Sequence, residues 1–130
     1  MNLSQFLSSG GGKLRYQEFT STGPFTPSSR LIANGGQCFV TALAGAGSGG
    51  AARIGSATNL SQACGGDAGQ LVEGMVTVSG ATTVTIGAGG ASVATTGTAI
   101  FNTNGNYGAD TTFGALLTAK GDKGGVAFDN

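Results

Sequence analysis

Histidine and tryptophan are absent from this 130-residue chain, and charged side chains make up only 9% of it. Without histidine, Ser-His-Asp and Cys-His nucleophile schemes are excluded. Glu18, Asp67, Glu73, Asp110, Asp122 and Asp129 leave a two-carboxylate glycosidase formally open. Each stands apart from the others, without the aromatic platforms that line sugar clefts, and they read as solvated loop carboxylates. The chain is therefore expected not to be an enzyme and to hold no catalytic, cofactor or metal site. Six basic and six acidic residues are scattered singly to a net charge of zero, so no basic patch points to nucleic acid. No apolar run reaches membrane-spanning length, so membrane insertion is not expected. The first residues lack the layout of a signal peptide, which predicts synthesis in the cytoplasm without Sec export. Cys38 and Cys64 form no C-x-x-C pattern, give neither a zinc signature nor a disulfide framework, and read as small buried hydrophobes.

What is abundant is glycine, 26 of the 130 residues, together with threonine, serine and alanine. One domain fits this length. Helix formers never accumulate at a 3.6-residue period beyond two turns, so the expected class is all-β with long glycine-rich loops. Few large side chains are available, and glycine costs the most backbone entropy on folding. Burial against copies of itself is the expected remedy, which predicts a homo-oligomer. The tract GAGSGGAA at residues 45–52 matches G-x-G-x-x-G through Gly45, Gly47 and Gly50, with Asp67 at the spacing of a ribose-binding acid. A dinucleotide site needs a helix directly after those glycines, and RIGSATN at residues 53–59 is a poor helix former. No nucleotide cofactor is expected.

Along the chain, residues 1–12 (MNLSQFLSSGGG) read as a peg and flexible linker, and residues 13–130 as the glycine-rich β domain. Leu3, Phe6 and Leu7 have the spacing of one amphipathic turn and are candidates for docking on a larger assembly. Strand-like runs follow around Leu14, Tyr16 and Phe19, and again at Phe25–Thr26. Turns are expected at Thr22-Gly23-Pro24 and at Asn34-Gly35-Gly36. QCFVTALA at residues 37–44 is apolar on both faces and is expected to be a central, doubly covered strand. The centre of the chain is QLVEGMVTVSGATTVTIGAGG, residues 70–90, read as a β-hairpin. A loop over Ser79-Gly80-Ala81 sets Val76 opposite Val84 and keeps one face apolar. Residues 102–108 (NTNGNYG) form a polar, turn-rich tip in which Asn104, Asn106 and Tyr107 are candidates for surface contact. Residues 111–119 (TTFGALLTA) are read as the last clear strand.

Four blocks in this order resemble the glycine-rich domain of tailed-bacteriophage and prophage tail fibre and minor tail proteins. They are YQEFTSTGPFTPSS at 16–29, CFVTALAGAGSGGAA at 38–52, GGDAGQLVEGMVTVSGATTVTIGAGGAS at 65–92 and TTFGALLTAKGDKGG at 111–125. LSQFLSSGGG is also similar to the N-terminal leader of such proteins. The glycine tracts are shorter than usual in that family, and residues 93–109 are more polar. The resemblance implies a virion component located in the tail: a fibre or appendage protein attached through Leu3, Phe6 and Leu7. It implies other phage tail proteins as partners and a homotrimer built on a fibre's threefold axis. The expected fold is a small antiparallel β-sandwich, jelly-roll-like. Alternatives are a receptor-binding module in which Asn104, Asn106 and Tyr107 contact a bacterial surface glycan, and a head or capsid decoration protein.

Overall fold

The computed structural model describes residues 15–53, 61–95 and 101–129. The described residues form ten short strands in several small antiparallel sheets, with one helix of five residues. Among the described residues the strands fall into two groups, and the extensive strand–strand contacts lie within each group. The first group forms a cap. It contains β1 (Gly23–Phe25), β2 (Gln37–Leu43), β5 (Leu71–Thr77), β6 (Thr82–Thr85), β8 (Thr111–Phe113) and β9 (Leu117–Ala119). A four-stranded sheet in the order β1-β6-β8-β9 packs against the β2–β5 pair. The second group lies at the far end, where β3 (Ala51–Arg53) pairs with β7 (Phe101–Thr103) and β4 (Ser61–Ala63) with β10 (Ala127–Asp129).

The cap holds the apolar core. Ala42, Ala44, Val78, Val84, Phe113, Leu117 and Ala119 are buried, with Phe19, Phe25, Leu31, Cys38, Val40, Val72, Val76 and Ile86 packed around them. The rings of Phe25 and Phe113 meet at 5.3 Å between centroids, tilted by 59°. Helix α1 (Ser29–Ala33) starts where the Ser28 side chain accepts a hydrogen bond from Leu31 N at 3.2 Å. It stops at Asn34, where Gly35 and Gly36 take φ of +89° and +68° and return their N–H groups to Ile32 O and Leu31 O. Three of the seven buried core residues are alanine, so apolar burial is modest and the main chain has to contribute more of the cohesion.

That contribution comes from the glycine tracts. Residues 44–50, 64–70, 86–91, 104–110 and 120–126 run between cap and far end without forming strands. They are crosslinked every third residue. Ala44, Gly47 and Gly50 donate to the carbonyls of Gln70, Asp67 and Cys64, and Cys64, Asp67 and Gln70 donate to those of Val126, Lys123 and Lys120. Gly105 and Gly108 donate to Gly125 and Asp122, and Gly45 and Ser48 to Ala109 and Asn106. A three-residue repeat with hydrogen bonds only to neighbours is the signature of extended, left-handed polyproline-II-type helices. Tract 44–50 bonds to all four others, while no bond joins 64–70 to 86–91. The tracts therefore stack as a layer of three (64–70, 44–50, 86–91) on a layer of two (120–126, 104–110). Glycine is required here by closeness rather than by φ. Among the described residues only Gly35, Gly36 and Gly114 have positive φ, whereas a Cβ on Gly47 would overlap Lys123 O and one on Gly108 would overlap Gly45 O.

Several expectations are corrected. The hairpin over residues 70–90 does not form. Val76 lies opposite Cys38 in β2, and Val84 lies opposite Gly23 and Phe113, so β5 and β6 belong to different sheets. The buried Val78 and the Ser79-Gly80-Ala81 break carry the chain from one layer of the cap to the other, since both valine faces are better buried between layers than beside each other. The strand at 37–43 is present but covered on one face only, with Phe39 and Leu43 exposed. Residues 111–119 are two strands joined by a turn in which Gly114 takes φ of +52°. The expected strand around Tyr16 is irregular chain, and Gly23 and Pro24, expected in a turn, open β1. The glycine-rich segments expected as loops are the middle of the molecule. The strand orders seen do not display jelly-roll connectivity.

Candidate interaction surfaces of the bundle

A helix with three residues per turn has three faces, and the packing of the tracts assigns them. In tract 104–110, Gly105 and Gly108 lie against neighbouring backbone, and Asn106 and Ala109 offer their carbonyls to tract 44–50. That leaves Asn104, Tyr107 and Asp110 as one outward row. In tract 120–126, Gly121 and Gly124 pack on tract 104–110, and Asp122 and Gly125 donate to Gly45 and Ser48. Lys120, Lys123 and Val126 form the second outward row.

The two rows run side by side. Lys120 Nζ lies 2.6 Å from Asp110 Oδ2, and the other carboxylate oxygen, Oδ1, accepts from Gly121 N at 2.9 Å. The side-chain hydrogen bond from Lys120, then that backbone N–H, hold the Asp110 carboxyl below its ordinary pKa. At the far end of the same face Asn104 Oδ1 accepts from Ala127 N at 2.9 Å. Between these two anchors stands Tyr107, 68% exposed, on the antiparallel register that brings it beside Lys123. The opposite face of the bundle is bare. Ala46, Gly49, Gly65, Ala68 and Gly89 are all exposed, with no charged side chain in those rows.

The structure thus separates the residues singled out in the sequence. Tyr107 is an exposed aromatic on a decorated face. Asn104 lies on that face but spends its carbonyl oxygen holding β10, and Asn106 donates from Nδ2 to Ala91 O at 2.8 Å, tying tract 104–110 to residue 91. Leu3, Phe6 and Leu7 lie outside the described residues. Phe19, near the start of the described chain, packs on the core of the cap. Asp110, Lys120 and Lys123 were not anticipated as part of a surface. The signal was the three-residue spacing Asn104–Tyr107–Asp110 and Lys120–Lys123–Val126.

Chemically, the decorated face offers an aromatic ring, an ammonium group and a carboxylate–ammonium pair, which can stack on and hydrogen-bond a polar ligand. Both cysteines are free. Burial pushes the Cys38 thiol above its ordinary pKa, whereas Cys64 is exposed on a tract, contrary to the expectation that it is buried. Among the described residues no group of three or more His, Cys, Asp or Glu side chains could hold a metal ion, and no helix is long and apolar enough to cross a membrane. Comparisons with family models, with curated proteins and with solved structures return no match to this chain.

Proposed function

We propose that this protein belongs to the class of non-enzymatic display elements, in which a stiff main-chain shaft separates an attachment end from a contact end. The observation that carries this reading is the five-tract bundle, crosslinked at every third residue between a cap that packs Phe19 on its core and a far end built from β3, β4, β7 and β10. Within that class, the resemblance of four ordered sequence blocks favours a structural protein of a tailed-phage virion, a tail fibre or tail appendage component. Residues 1–12 are its attachment segment, with Leu3, Phe6 and Leu7 docking on another tail protein. The cap is read as a small sandwich, and the virion form as a homo-oligomer, with the trimer taken from the fibre resemblance. Localisation in the intact particle by immunolabelling tests this. Label on the tail supports it, and label on the head replaces it with a capsid decoration protein. Deletion of residues 1–12 is expected to leave a folded domain that no longer joins the particle.

A second reading, recognition of a bacterial surface glycan, is favoured by the exposure of Tyr107 between Asn104 and the Asp110–Lys120 pair. The purified protein is then expected to bind host cells, and Tyr107→Ala to abolish that binding without lowering the melting temperature. Unchanged binding in the variant would refute a role for this face.

A further inference from the structure

The β2–β5 sheet has two strands and two outer edges, and those edges differ in chemistry. Hydrogen bonds from Val78 N to Gly36 O and from Ala44 N to Gln70 O extend its ladder at both ends. The even-numbered residues of β2 therefore bond to β5, and alternation turns the main-chain groups of Phe39, Thr41 and Leu43 outward. The same alternation turns those of Leu71, Glu73 and Met75 outward on the β5 side. Among the described residues, no backbone hydrogen bond outside the ladder reaches any of these six residues. Their side chains also share the uncovered face of the sheet. Phe39 and Leu43 are each 63% exposed, Leu71 58% and Met75 59%, and Thr41 Oγ1 donates to Glu73 Oε1 at 3.0 Å between them.

Sheet edges left open on a soluble protein are usually guarded by charge, proline or a bulge. β5 is guarded, because Glu73 stands at its centre. β2 reads QCFVTAL, without charge, proline or bulge over seven residues.

We propose that the β2 edge is a self-pairing surface, at which a second copy of this chain adds its own β2 antiparallel about a twofold axis at Thr41. The proposal rests on the self-association in the function proposed above, but not on its symmetry. The register is fixed by which groups point outward. Thr41 exchanges both main-chain hydrogen bonds with the partner's Thr41, Phe39 pairs with the partner's Leu43, and Leu43 with the partner's Phe39. Pairing ends there, because Gly45 N already donates to Ala109 O at 3.0 Å. Every cross-seam pair is favourable: an aromatic on an aliphatic at two places and threonine on threonine between them. The same operation at β5 would set Glu73 against the partner's Glu73, which selects β2. The product is a continuous four-stranded sheet, with Phe39 and Leu43 shielding each other across the seam. A foreign strand would find the same hydrogen bonds but not this matched side-chain order.

The test is the mass of the full chain by light scattering and sedimentation over a wide range of concentration. The wild type is expected at twice 12.6 kDa, and Thr41→Lys, which places like charges on the axis, at 12.6 kDa with an unchanged circular dichroism spectrum. Glu73→Lys is expected to leave the dimer intact. Amide exchange on the unaltered chain gives an independent readout, with protection of Phe39, Thr41 and Leu43 rising with concentration. A wild type that stays monomeric overturns the proposal, as does a mass of three chains, a Thr41→Lys variant of wild-type mass, or exchange at those amides that ignores concentration. A mass of two chains replaces the trimer that the fibre resemblance implies, and a monomer removes the self-association from both proposals. The place in the particle is decided by labelling alone, so the seam and the tail reading fail separately.

Discussion

Replacing Gly108 by alanine puts the polyproline-II bundle to its most direct test. The new Cβ overlaps Gly45 O and crowds Ala46 O, both rigid main-chain atoms at the centre of the bundle, so no side chain can rotate away. Relief requires tract 104–110 to move off tract 44–50. That movement weakens the bonds from Gly108 N to Asp122 O (2.9 Å), from Gly45 N to Ala109 O (3.0 Å) and from Ser48 N to Asn106 O (2.9 Å). At about 1 kcal/mol net for each, the loss is about 3 kcal/mol, in the range known for overpacked interiors. For a domain of this size that is a fall in Tm of roughly 10–15 °C. Gly65→Ala is the matched control. Nothing lies within 4 Å of its new Cβ and its φ is not positive, so the expected change runs from none to a gain of about 0.5 kcal/mol through the unfolded state. Thermal unfolding followed by circular dichroism or calorimetry reads both variants. Two melting curves within about 2 °C of each other would refute the close approach on which the bundle depends.

Thr111 is buried and its Oγ1 accepts from Gly87 N at 2.9 Å, so Thr111→Val orphans that N–H and is expected to cost about 1–3 kcal/mol in chemical denaturation, with Thr111→Ser recovering part of it. Phe113→Ala removes the ring packed on Phe25 and is expected to cost about 3–5 kcal/mol by the same measurement. Asp110 has a folded-state pKa below its ordinary 3.8, so its contribution to stability is present above that value and is lost as pH falls through the lower folded value. Asp110→Asn should flatten the acid limb of a plot of Tm against pH below about 4, and an unchanged limb would remove Lys120 and Gly121 N as the cause. Tyr107→Ala is expected to leave Tm unaltered, because the ring is largely exposed, so any loss of cell binding reports contact rather than folding.

The β class, the single strand at 37–43 and the turn at Asn34-Gly35-Gly36 were all legible in the amino-acid sequence, since β-branched alternation and glycine after a polar cap are local signals. The bundle was written there as well, at a period that neither strand nor helix uses. Gly66 and Gly69, Gly87 and Gly90, Gly105 and Gly108, Gly121 and Gly124 all recur at i, i+3. That spacing keeps one row of each tract free of side chains, and it also defines the row holding Asn104, Tyr107 and Asp110. Which strand pairs with which was not local. Val76 and Val84 satisfy a hairpin by parity as well as they satisfy separate sheets, and only burial on both sides of the cap core selects the second arrangement. Tertiary structure alone decided that the glycine tracts pack on one another within a single chain. Hydrogen bonds from extended tracts have no preferred sequence separation, so their partners are settled only when five segments are brought within reach at once.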